Sequence, residues 1–109
     1  MFITPQLAHI GLREKEAVEK GYAIKVATLP ASAIPRARIL NNTKGLLKTV
    51  VDSNSNKILG CTLFCADANE MINTVQMAMH AGLDYRELRD TIFTHPSMTE
   101  AFNDLYALI

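Results

Sequence analysis

The chain has no tryptophan, only two cysteines, and no apolar run that approaches the length of a bilayer span. It lacks a charged lead followed by an apolar stretch, the mark of a secretory signal. It also lacks an excess of either charge, since Lys+Arg and Asp+Glu stand at 11 each. A neutral chain without a basic block has no electrostatic footprint for nucleic acid or anionic lipid, so partners are expected through shape and apolar surface. No glycine-rich turn of the Gly-x-Gly-x-x-Gly type follows a strand, and there is no phosphate-binding loop and no Gly-x-Ser-x-Gly elbow. The chain is therefore expected to hold no dinucleotide by itself. Together these absences read as a cytoplasmic protein without a metal centre, a membrane segment or a nucleic-acid surface.

What is present is core-forming material. Hydrophobic residues make up 49% of 109 residues, enough for one real core, and residues 1–109 read as a single domain. Met1 passes at once into Phe2-Ile3-Thr4 with no polar lead-in, which suggests a domain taken from a longer chain. Phe2 to Thr4 and Leu7 to Gly11 read as one extended segment bent at Pro5. Arg13 to Lys20 reads as a solvated helix closed by Gly21. Ala23 to Leu29 alternates, with Ile24, Val26 and Thr28 on one face and Lys25 and Ala27 on the other, as a half-buried strand does. Pro30 to Pro35 reads as a connector. Two β-rich runs, Gly45 to Asp52 and Lys57 to Cys65, flank Ser53-Asn54-Ser55-Asn56, a strong hairpin signal.

Helices gather late in the chain. Asp67, with Glu70 three residues on, has the grammar of a capping box, and Ala68, Met71, Ile72, Val75 and Met79 recur at helical spacing until Gly82. Asp84-Tyr85-Arg86-Glu87 repeats that grammar for a shorter helix through Arg89, and Thr91 to Thr94 reads as extended. Ser97 is placed to cap a last helix to Leu108, with Ala101, Phe102, Leu105 and Leu108 on its stripe. The order β, α, β, β, β, α, α, α predicts an α+β fold: an antiparallel sheet with helices packed on one face.

Few side chains invite chemistry. Cys61 and Cys65 form C-x-x-x-C, but on one strand the four steps span roughly 13 Å at about 3.3 Å each, while a disulfide needs Cα atoms within about 7 Å. Two small residues packing on one strand face is the plainer reading. Met71, Met77, Met79 and Met98 suit an adaptable apolar surface better than a soft-metal site, and Met77, off the main stripe, widens the apolar arc of its helix toward a possible second chain. His9 and His80 have no supporting spacing.

His95-Pro96-Ser97-Met98-Thr99-Glu100 is different. An extended segment delivers His95, Pro96 fixes the chain direction, and Ser97 starts a helix with Glu100 in its first turn. A carboxylate there can fold back toward the imidazole, select its tautomer and raise its basicity, as an acid–base histidine requires. Ser97 and Glu100 also satisfy a capping box without any chemistry. The two readings are compatible.

The stretch His95 to Phe102 resembles the His-Pro-Thr-x-x-Glu signature of the glutathione reductase, lipoamide dehydrogenase and mercuric reductase family of pyridine nucleotide–disulfide oxidoreductases. Phe2 to Leu12 is similar to the opening of that family's dimerisation domain. Gly45-Leu46-Leu47-Lys48 through Lys57-Ile58-Leu59-Gly60 is similar to its hairpin, and Ala66-Asp67-Ala68-Asn69-Glu70 to the start of its long helix. The resemblance covers nearly the whole chain in order. It departs at Gln6, often acidic in the family, at Arg13, usually a Thr or Ser cap, and at Cys61 and Cys65, usually Ala and Gly. Glu70-Met71-Ile72-Asn73 and Phe102-Asn103-Asp104-Leu105 resemble a bacterial subgroup linked to reactive-chlorine or hypothiocyanite resistance.

The resemblance implies a parent enzyme that binds FAD, oxidises NAD(P)H through a redox-active disulfide in N-terminal domains, and forms a homodimer through this domain. It implies that His95 serves as base for the partner subunit's thiol pair, that Glu100 orients it, and that a cis His95–Pro96 peptide brings His95 and Pro96 to the partner's FAD. The isolated domain would then be inactive and bind no cofactor. Two other readings stay open: a dimerisation module whose His–Glu pair does no chemistry, and a free-standing regulatory domain for a small ligand.

Overall fold

Alternating side chains and turn-forming breaks give four strands, and amphipathic spacing gives the helices between and after them. The computed structural model describes residues 6–34, 45–93 and 97–109. The strands are β1 (Gln6–Gly11), β2 (Ile24–Pro30), β3 (Leu46–Asp52) and β4 (Ile58–Cys65). The helices are α1 (Glu14–Glu19), α2 (Ala68–His80), α3 (Tyr85–Asp90) and α4 (Ala101–Ala107), with one 3-10 turn, Ala31–Ala33, inside the expected connector. The expected element order holds among the described residues; the Phe2–Thr4 half of the first extended segment lies outside them.

The sheet runs β1-β4-β3-β2, with every neighbouring pair antiparallel. The β3–β4 hairpin is therefore its centre. Asp52 ties the turn together: its carboxylate accepts from the Asn54 N–H at 3.0 Å and from the Ser55 hydroxyl at 2.7 Å. Asn56 takes a left-handed conformation, which asparagine tolerates better than most residues. β1 returns to β4 with Gly11 opposite Gly60, and the Leu12 N–H continues the ladder to the Leu59 carbonyl at 2.9 Å.

Strand alternation sorts the side chains onto two faces. One carries Leu47, Thr49, Val51, Cys61, Leu63 and Cys65, all buried beneath the late helices. α2 lies against β1 and β4, where Cys65 Sγ sits 3.7 Å from Met71 Sδ, and α4 lies against β2 and β3. The side chains of Phe102, Leu105 and Tyr106 are fully enclosed there, each contributing about 1.5–3 kcal/mol by leaving water. The other face carries Leu46, Lys48, Thr62 and Phe64. α1 borders that second face, since Lys48 Nζ donates to Glu14 Oε1 at 2.9 Å. The antiparallel sheet with helices on one face thus describes α2 to α4, with α1 as a minor cover opposite.

β2 alternates as expected, and its deeply buried side is Ala27 and Leu29, while Val26 pairs with Val50 on the other face. Two local expectations are corrected. Asp67 does not cap α2 with its side chain: it sits at φ 63°, and Gln6 Oε1 from β1 accepts the Asn69 N–H at 3.2 Å instead. α4 begins at Ala101 rather than just after Ser97, and its fourth stripe residue is Tyr106, while Leu108 is exposed.

Candidate functional site

α3 and α4 form a helical corner, and the segment between them carries the residues singled out in the sequence. Asp84 starts α3 as expected, its carboxylate accepting from the Arg86 N–H at 2.8 Å and pairing with the Arg86 guanidinium at 2.6 Å. That guanidinium holds the Asp84 carboxyl below the usual carboxylate range. Tyr85 and Leu88 are buried, and Tyr85 meets Tyr106 with ring centroids 6.3 Å apart, so the corner is fastened through aromatic contact. Thr91 ends the helix, its N–H donating to the Glu87 carbonyl at 3.1 Å and its hydroxyl to the same oxygen.

Ile92 and Phe93 lie in no regular element. Ile92 is 96% exposed, whereas Phe93 packs against the core. His95 and Pro96 lie outside the described residues. On the far side Met98 is buried at 3% exposure, so packed side chains stand on both flanks of residues 94–96. Ser97 makes the serine half of the expected capping box: its hydroxyl accepts from the Glu100 N–H at 3.3 Å. A turn with bonds from Ala101, Phe102 and Asn103 to the carbonyls of Met98, Thr99 and Glu100 then winds into α4. Glu100 is half-buried at the N-cap position with helical backbone angles.

Asn103 is the residue that sequence reasoning passed over. Its amide Nδ2 lies 3.0 Å from the Leu88 carbonyl, 3.1 Å from that of Arg89 and 2.8 Å from that of Thr91. The signal available was a poor helix former in the middle of a helix, a position where asparagine tends to have a tertiary task.

The two cysteines have no site character. Both are reduced and buried on the core face, and loss of hydration pushes the Cys61 thiol up to about 12 and the Cys65 thiol to about 11. No three His, Cys, Asp or Glu side chains among the described residues converge in a way that could hold a metal ion. A concavity of about 750 Å³ opens on the second face between α1 and the sheet, lined by Leu12, Val18, Leu46 and Val50 with the Glu14–Lys48 pair. It faces away from the corner formed by α3 and α4. His9 is engaged on β1, its Nδ1 2.6 Å from the Thr62 hydroxyl and its Nε2 donating to the Gly11 carbonyl at 2.8 Å.

The start of α2 follows an acidic residue, Asp67, and its Asn69 N–H is taken by Gln6, which leaves that N-terminus poorly suited to a pyrophosphate.

Comparison with known proteins agrees with this architecture. Residues 1–106 match the family model described as the pyridine nucleotide-disulphide oxidoreductase dimerisation domain. The chain is 53% identical over 109 residues to the probable pyridine nucleotide-disulfide oxidoreductase RclA of Escherichia coli (strain K12), covering 100% of this chain and 25% of that protein. It is 36% identical over 99 residues to a mercuric reductase of Bacillus cereus, covering 91% of this chain and 16% of the relative. The solved HOCl-induced flavoprotein disulfide reductase RclA from Escherichia coli superposes with a TM-score of 0.95 at 54% identity, over 97% of this chain and 24% of that one. LpdA from Mycobacterium tuberculosis, at 20% identity and a TM-score of 0.88, shares the fold over 97% of this chain and 23% of its own. The chain spans about a quarter or less of the length of these relatives. It belongs to the pyridine nucleotide–disulfide oxidoreductase family and is its dimerisation domain.

Proposed function

We propose that this domain works inside a longer FAD-dependent, NAD(P)H-oxidising disulfide reductase. There it pairs with a second copy and presents His95, oriented by Glu100, to the thiol pair of the partner subunit. The observation that carries the reading is the packing and hydrogen bonding of the residues on either side of the stretch that bears His95. Phe93 and Met98 pack on its two flanks, Asn103 fastens its entry, and Glu100 stands at the N-cap of α4 where it ends. An acid–base group needs such restraint, because orientation supplies much of the rate. The chemistry assigned to this chain is a proton transfer. The imidazole of His95 takes the proton from one thiol of the partner, leaving a thiolate, and returns it when the thiol is re-formed. Glu100 favours the protonated ring by charge. The flavin and the nicotinamide cofactor belong to the other domains of the longer chain, and supply the electrons there. A reducing, cytosolic setting accords with the two free thiols.

The test is His95→Ala in the full-length flavoprotein. Turnover is expected to fall on the order of a hundredfold to ten-thousandfold with flavin content and dimer mass unchanged. Undiminished turnover leaves the second reading, a dimerisation module whose His–Glu pair does no chemistry. A C-x-x-x-x-C pair upstream in the longer chain favours the catalytic reading, and its absence the alternative.

A further inference from the structure

We infer that Asn103 is a positioning residue for His95, a role that rests on the catalytic reading given above. The carboxamide of Asn103 spans from α4 to the end of α3 and donates to the carbonyls of Leu88, Arg89 and Thr91 at 3.0, 3.1 and 2.8 Å. Two of those carbonyls belong to the last turn of α3, where the helix leaves them without partners of its own. The third belongs to Thr91, the residue from which the chain departs toward His95. One amide group has two hydrogens, so three acceptors are served by sharing, and all of its donor capacity goes to this junction. The orientation of the amide follows from chemistry: the opposite rotamer would set its oxygen against three carbonyl oxygens.

Asn103 lies one helical turn beyond Glu100, and its own N–H donates to the Glu100 carbonyl at 3.1 Å. The residue that fixes where the chain leaves α3 is thus also bonded to the backbone of the residue proposed to orient the imidazole. Without the clamp, the departure of the chain at Thr91 and the start of α4 at Glu100 are no longer held by one common group. Residues 91 to 93 are then free to move relative to 97 to 100, the two described ends between which His95 stands in the sequence. The side chain touches no substrate or cofactor in this reading; it acts through the segment it anchors.

The experiment uses the full-length flavoprotein and its Asn103→Ala, Asn103→Asp, Asn103→Gln and His95→Ala variants. Turnover is measured with a nicotinamide cofactor and dithiobis-nitrobenzoate as disulfide probe, and amide hydrogen exchange is followed by mass spectrometry. Asn103→Asp keeps the shape but replaces donors with an acid facing three carbonyls. For Asn103→Ala and Asn103→Asp, kcat is expected to fall on the order of ten- to a hundredfold at unchanged KM for the cofactor. Amides of residues 91–93 and 97–100 should exchange faster, with the β3 and β4 amides unaltered. Asn103→Gln, which restores a donor on a longer stem, should recover part of the loss. If His95→Ala is inactive but Asn103→Ala and Asn103→Asp turn over normally, the positioning role is overturned and the catalytic reading stands. If His95→Ala is fully active, both fall. Loss of the folded dimer or faster exchange throughout the domain in both Asn103 variants also overturns the inference, because the side chain would then serve the whole fold.

Discussion

Thr49 sits at the centre of the sheet with no exposure to water, and its hydroxyl lies 2.9 Å from the Tyr106 hydroxyl and 3.3 Å from the Gly60 carbonyl. Thr49→Val keeps the shape and removes one partner of the phenol oxygen, which still bonds Cys61, so it should cost about 0.5–1.5 kcal/mol. Tyr106→Phe removes the oxygen that Thr49 and Cys61 share and should also cost about 0.5–1.5 kcal/mol. The double variant should cost less than the two added together, since the Thr49–Tyr106 bond is lost only once; urea unfolding of the three proteins decides. The thiols make a second residue-scale case. Burial lifts Cys61 to about 12 and Cys65 to about 11, above the ordinary thiol range. A group whose folded value is raised stabilises fully below its unfolded value and loses that contribution as pH climbs toward the folded one. Stability should therefore hold up to about pH 8.5 and then fall by about 1.4 kcal/mol per pH unit for each thiol. In the Cys61→Ala/Cys65→Ala variant that slope should shrink to what Tyr106, whose phenol is also raised by burial, supplies at higher pH. An unchanged slope would mean that the thiols ionise freely in the fold.

At the scale of elements, the sites where two backbones nearly touch are the least forgiving. A Cβ built on Gly60 would stand 1.9 Å from the Leu12 carbonyl oxygen, so Gly60→Ala must push β1 off β4. Thermal unfolding should show a loss of more than about 3 kcal/mol, or no folded protein, whereas Gly21→Ala, with open space around it, should suffer only from its φ of +90°. Neither crowding nor its absence is legible in the sequence, because both depend on which strand lies alongside. Element existence and order were legible, since they follow from periodicity and turn residues: the hairpin around Ser53 to Asn56, the Asp84 cap and the end of α1 at Gly21 all stand as read. Partner choice across the fold was not. Gln6 replaces Asp67 as the cap of α2, and Tyr106 replaces Leu108 on α4, each decided by a neighbour distant in sequence. The same holds for the candidate site. The His95–Glu100 motif could be read along the chain, but the reach of Asn103 back to Leu88 could not.

For the molecule as a whole, the layout predicts where it opens first. β3 and β4 are joined by a tight hairpin and flanked by a strand on each side, so both strands have ladder partners on two edges. Their core-facing residues Leu47, Thr49, Val51, Cys61 and Leu63 are sealed beneath α2 and α4. Local opening costs the most free energy where hydrogen bonds and buried contacts are densest, and those amides should exchange only through global unfolding. α1 stands at the other extreme: of its residues only Ala17 is buried, Val18 is exposed, and its ties to the sheet include the partly exposed Glu14–Lys48 pair. An exposed pair of that kind contributes no more than about 1 kcal/mol, so α1 should open while the sheet stays intact. Native-state hydrogen exchange in low urea measures this directly. The α1 amides should exchange with a small opening free energy that scarcely depends on urea, and the β3 and β4 amides with one that tracks the unfolding transition. If the α1 amides instead follow the same urea dependence as β4, the helix is part of the cooperative unit, and its few contacts with the open face carry more of the fold than their burial implies.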